Sequence, residues 1–240
     1  MPIETKATKR LMTAVALSLL PWPAVWLGIY EIRNLVLTFA LYHGVCLLPA
    51  AIRCRRLWMP ALRVPNRREW TYVGLAAVVL LPVDLVFYHR FGARIVDPQA
   101  VMAVFTHLGF QRQWFVALGV YFVLINAIIE ELFWRGTVLN LLASRTTYPR
   151  PLPQGKGVPG GAERGAAAWT ALTFGTWHFL IVRLLVRSGW AWVTVLSIVL
   201  AGIFFGWLYR RSASIIVAML WHGLVFDLPL IAILAVVMRG

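Results

Sequence analysis

The chain has 240 residues, 60% hydrophobic and 13% charged, with a mean hydropathy of +0.75 and a formal net charge of +14. Soluble domains carry about 25% charged residues, so this composition excludes a water-soluble enzyme and calls for an integral membrane protein. The basic excess falls in the breaks between apolar stretches, which reads as membrane topology and not as a nucleic-acid-binding face.

A bilayer core takes about 20 apolar residues of helix. Candidate spans fall at 11–30, 35–52, 71–88, 114–141, 167–186, 191–209 and 214–238, and the stretch from Ile95 to Phe110 offers a re-entrant or interfacial helix. The predicted fold is all-α, a polytopic transmembrane bundle of seven to eight spans. Lys6, Lys9 and Arg10 ahead of the first apolar run resemble a signal peptide. That run is long, contains Pro21 and Pro23 and lacks a cleavage-site pattern near its end, so a retained first helix is expected. Cys46 and Cys54 suit neither a disulfide framework nor a zinc module. The arginines between Arg53 and Arg68 serve to set topology. His43, Asp84, His89 and His107 are expected near the interfaces or the outer side, solvated or locally paired.

With the N-terminus inside, the inner segments hold fifteen Lys and Arg, from Lys6 to Arg211, against seven in the outer segments. The positive-inside rule therefore places the N-terminus in the cytoplasm, and the expected location is a bacterial inner membrane. The longest inner loop, 143–165, is rich in Pro and Gly and is predicted to be a flexible connector. The chain is otherwise one membrane domain over 1–240, with no second domain and no repeat. Gly202 and Gly206 form a small-xxx-small face suited to close helix contact.

Charges at bilayer depth cost about 2.5 to 3.5 kcal/mol each on insertion scales, so those that occur usually serve a function. Glu130 and Glu131 are adjacent within the fourth span, His178 lies in the fifth, and His222 with Asp227 in the last. Counted from the inner ends of their helices, Glu130, His178 and His222 lie at depths of roughly 12 to 17 Å. Three helices thus present polar groups at one level. Residues four apart share a helix face, so Glu131 can pair with Arg135, which leaves Glu130 free to act as a general base or acid. Asn126 precedes Glu130 by four and shares its face.

Glu130-Glu131-Leu-Phe-Trp-Arg135 resembles the EExxxR motif, and Phe174-Gly-Thr-Trp-His178 the FxxxH motif, of the CAAX-protease and bacteriocin-processing (CPBP) family of intramembrane proteases, with His222 as the third motif. The resemblance covers residues 114–238, the expected catalytic core. It implies a cavity open to the cytoplasm in which a glutamate and a histidine activate water to cut a peptide bond near a membrane anchor or lipidated tail. By that resemblance Glu130 is the general base, His178 orients the water and shuttles its proton, and His222 donates to the developing oxyanion. Glu131 and Arg135 hold the geometry, and Phe174 packs beside His178. Where the family pattern has a polar residue four positions after the third-motif histidine, this chain has Phe226, and Asp227 follows at five. On a regular helix Asp227 points about 140° from His222, so it joins the site only where the helix is bulged or unwound. Asn126 is then a candidate second donor.

The partners implied are a membrane-anchored or lipidated protein substrate and the lipid bilayer, with no nucleic acid. No cofactor is expected. In the zinc-dependent alternative, Glu130, His178 and His222 would be the ligands, but the usual pairing of two His on one helix is absent. The non-enzymatic alternatives are an inactive scaffold or immunity-type protein, and a transporter with proton-coupled carboxylates.

Overall fold

A computed structural model describes residues 3–143 and 161–238. Six of its helices are long and apolar enough to cross a membrane: α1 (Ala7–Ile32), α2 (Leu35–Arg53), α3 (Arg67–Ile95), α5 (Arg112–Ala143), α8 (Ser188–Ser212) and α9 (Ile215–Val237). Between α3 and α5 lies a short helix, α4 (Pro98–His107), far below spanning length. It occupies the segment where the sequence suggests an extra interfacial or re-entrant element. The remaining predicted span, 167–186, is two helices, α6 (Gly161–Trp177) and α7 (Phe179–Leu185). The break falls at His178, whose N–H reaches back only three residues to the Gly175 carbonyl, at 3.2 Å. No strand occurs among the described residues. The connector expected over 143–165 lies mostly outside the described residues, and its final part, from Gly161, is the first turn of α6.

Local chemistry fixes the helix ends. Arg33 and Ala213 adopt the left-handed conformation that terminates α1 and α8. Asn34 and Ser214, the very next residues, accept hydrogen bonds from the Leu37 and Val217 N–H groups and start α2 and α9. Asn66 and Glu69 form a reciprocal capping box at the start of α3, and Asp97 caps α4 ahead of Pro98.

Helix α6 lies along α8, and at this contact a Cβ on Gly202 would sit 3.1 Å from the Ala171 Cα. Gly206 has open space around its Cα, so only the first glycine of the small-xxx-small pair packs closely. The core is built on Val25, Leu47, Phe133, Trp134, Phe174 and Trp177, drawn from α1, α2, α5 and α6. The basic end of the bundle is tied by Arg63, which donates to Glu69 and to the Ser212 carbonyl, and by Asn140, which donates to the Leu57 carbonyl and the Tyr209 hydroxyl.

Candidate active site

On α5 the four-residue spacing produces the expected ion pair. Arg135 Nη1 donates to Glu131 Oε1 at 2.8 Å, and both side chains are completely buried. Its Nη2 donates to the Gly202 carbonyl on α8 at 3.2 Å. The guanidinium lies over the rings of Phe174 and Phe205, 4.6 and 4.9 Å from their centroids. Arg135 is thereby held by a carboxylate, a backbone oxygen and two aromatic faces.

Glu131 passes that order to α9. The same Oε1 lies 2.9 Å from His222 Nδ1, which orients the imidazole, and Phe205 stacks on the ring at a centroid distance of 5.0 Å. The other ring nitrogen, Nε2, lies 3.5 Å from Glu130 Oε2 and 3.6 Å from Asp227 Oδ1. Glu130 is 2% exposed, and its Oε1 accepts the Tyr42 hydroxyl hydrogen bond at 2.6 Å. Asp227 reaches this cluster because residues Trp221–Asp227 form a π-helical segment. Its wider turn brings residues five apart onto one face, the bulge that the sequence spacing requires. Asn126 donates to Asp227 Oδ2 at 3.1 Å, so its amide is engaged with the carboxylate and not presented alone beside His222.

His178 occupies the break between α6 and α7. Its Nδ1 lies 2.7 Å from the Phe174 carbonyl and donates to it, which leaves Nε2 as the acceptor nitrogen. Trp177 stacks on the imidazole at 3.8 Å, and the Phe174 ring stands edge-on at 5.0 Å. A cavity of about 400 Å³ collects Tyr42, Asn126, Glu130, His178, His222 and Asp227 on its wall, and nearly all the rest of its lining is apolar. A carboxylate, a ring nitrogen with a free lone pair and a second, fixed imidazole on the wall of one cavity can move a proton and stabilise an oxyanion. Glu131 and Arg135 stand behind this wall.

Tyr42 is the site residue that sequence reasoning missed. Its signal is weak, since a tyrosine inside an apolar span ordinarily reads as packing. Its neighbour His43 is buried and paired with the Tyr121 hydroxyl, the local pairing expected for it. Asp84, His89 and His107 have no part in the cluster. Among the described residues, no three His, Cys, Asp or Glu side chains are grouped so as to hold a metal ion.

The sequence profile described as type II CAAX prenyl endopeptidase Rce1-like matches residues 112–225. Residues 112–225, slightly less than half of the chain, are thus similar to that family. The Rce1-like segment contains Glu130, Glu131, Arg135, Phe174, His178 and His222, and ends just before Asp227. The matched segment takes in the spanning-length helices α5 and α8 and the first half of α9. No curated protein and no solved structure matches the chain.

Proposed function

We propose that the chain is an intramembrane endopeptidase in which Glu130 and His178 activate a water molecule against a peptide bond of a membrane-anchored or lipidated protein. The observation that carries this reading is the meeting of Glu130, His178 and His222, from three separate helical segments, on one largely apolar cavity. Glu130 takes a proton from the water as its oxygen attacks the scissile carbonyl. Tyr42 holds one carboxylate oxygen and leaves the other directed at the reaction space. His178 Nε2 accepts a hydrogen bond from the same water, and the proton taken by Glu130 passes by way of His178 to the leaving amine as the C–N bond breaks. His222, protonated on both ring nitrogens and aligned by its Nδ1–H hydrogen bond to Glu131, turns Nε2–H to the developing oxyanion, an interaction whose loss typically costs about 10² to 10³ in rate.

The proposed chemistry is metal-free. His222 Nδ1 is already committed to Glu131, His178 Nδ1 to the Phe174 carbonyl, and Glu130 to Tyr42. Each group is thus oriented by protein contacts. Activity that survives a strong zinc chelator supports this mechanism, whereas chelator loss restored by added zinc overturns it in favour of the zinc-dependent form.

Comparing host membranes that contain the wild-type chain with membranes that contain Glu130→Gln tests the enzymatic reading. An endopeptidase leaves uncut substrate to accumulate in the variant. An inactive scaffold keeps its phenotype with an unchanged proteome, and a proton-coupled transporter loses flux without any uncut polypeptide.

A further inference from the structure

Two π-helical turns pack against each other beside the site. In Trp221–Asp227 of α9 the wider turn brings His222 and Asp227, five residues apart, onto one face. Residues Tyr121–Asn126 of α5 form the other turn, so Tyr121 and Asn126, also five apart, share a face as well. The hydrogen bond from Asn126 to Asp227 joins the two. Tyr121 in turn meets His43 of α2, and the proposed chemistry uses neither of them. His43 is 3% exposed and lies in a further π-helical segment, Ala40–Leu47, next to Tyr42. Its ring stacks on Phe39 and leans on Tyr42. Nδ1 shares a hydrogen bond with the Tyr121 hydroxyl, while Nε2 is buried without a hydrogen bond among the described residues. Asn126 lies beside the imidazole.

A tyrosine hydroxyl that donates to Nδ1 leaves the ring proton on Nε2, and a buried N–H without an acceptor is costly. The Asn126 Nδ2 already serves Asp227, so the acceptor that Asn126 has left to offer is its amide oxygen. A donor and an acceptor that both need a partner therefore stand side by side. We infer that His43 is a positioning residue of the active site, whose Nε2–H holds the Asn126 amide oxygen and so keeps Nδ2 turned to Asp227. Asp227 Oδ1 stands 3.6 Å from His222 Nε2, and a small movement of this carboxylate captures the N–H meant for the oxyanion. Without the His43 donor the amide is free to rotate, and an amide oxygen turned to the carboxylate repels it. Order thus runs from Tyr121 through His43, Asn126 and Asp227 to His222. This deepens the protease reading and rests on it for the effect on rate. His43 lies outside residues 112–225, so the family similarity assigns it no role. A histidine that only fills space between α2 and α5 would affect stability and leave His222 unchanged.

The full chain with isotopically labelled histidine nitrogens is placed in lipid bilayers and read by magic-angle-spinning NMR, each of the five histidines being assigned by the loss of its signals on replacement. Wild-type His43 is expected to carry its proton on Nε2; a proton on Nδ1 overturns the inference. His43→Phe is expected to shift the His222 Nε2 signal, and His43→Gln, which keeps an N–H at the place of Nε2, to bring it back towards wild type. A His222 signal unmoved in H43F, or moved equally in both variants, overturns the inference even where the melting temperature falls. If H43F does not fold, Tyr121→Phe takes its place: loss of the hydroxyl is expected to let His43 protonate on Nδ1 and to shift His222 Nε2, and a spectrum unchanged at both residues overturns the inference. The rate at which host membranes clear the polypeptides that accumulate with Glu130→Gln is expected to fall about 2- to 13-fold in H43F, the equivalent of one neutral hydrogen bond. Clearance at the wild-type rate contradicts the catalytic consequence. The expected spectra without any polypeptide accumulating in E130Q mean that the protease reading has failed while the relay from His43 to His222 stands.

Discussion

Tyr42 and Glu130 share a 2.6 Å hydrogen bond between α2 and α5, buried from water. A hydrogen bond to a charged group is worth about 1.5 to 3 kcal/mol, so Tyr42→Phe is expected to lower the cleavage rate about 10- to 100-fold without loss of folded protein. Measuring the rate alongside the melting temperature of the purified variant checks this. A rate equal to wild type would remove Tyr42 from the site. At this scale the sequence is informative where spacing has a geometric consequence. Glu131 and Arg135 pair because residues four apart share a helix face, and Asp227 needed a bulge, which Trp221–Asp227 supplies. Tyr42 was not legible because its role depends on a partner 88 positions away, which no local pattern encodes.

At the level of elements, the active helices are held in register by two contacts with distinct physics. A Cβ on Gly223 would collide with the Val123 carbonyl oxygen, so α9 lies against the α5 backbone at the turn that carries His222. Overpacking typically costs about 1 to 3 kcal/mol, and Gly223→Ala is expected to lower the melting temperature in detergent and cleavage with it. An unchanged melting curve would contradict the close approach. Arg135 links α5 to α8 through Glu131 and the Gly202 carbonyl. Removing one member of a buried pair strands the other and costs about 3 to 5 kcal/mol. Arg135→Met should therefore destabilise the fold strongly, and adding Glu131→Gln should recover part of that loss, both read by thermal unfolding. A double variant less stable than R135M would show that Glu131 is not stranded. Six of the seven expected spans were legible as long apolar runs, with ends within seven residues, whereas 167–186 is two shorter helices. The break at His178 was not, because Phe174 to His178 contains no proline and no dipeptide turn signal, and the kink follows from the tightened backbone there.

Over the whole molecule, the sequence carried the class, the order of the helices and the convergence level of the polar groups, since hydropathy and depth are properties of the chain alone. The direction of the cavity was not readable, because it depends on which half of the bundle packs solid, and the same apolar residues can fill a core or line a space. Here Phe133, Trp134, Val138 and Leu139 pack solid on one side of Glu130, and a cavity of about 400 Å³ lies on the side of α4. The central claim is hydrolysis by a water that Glu130 activates, and the cleavage rate of the purified chain in liposomes, wild type against Glu130→Gln, tests it most directly. General-base catalysis contributes about 10² to 10⁴ in rate. A loss of that size in a variant that melts like wild type is expected; a variant that cuts its substrate at the wild-type rate would contradict the mechanism.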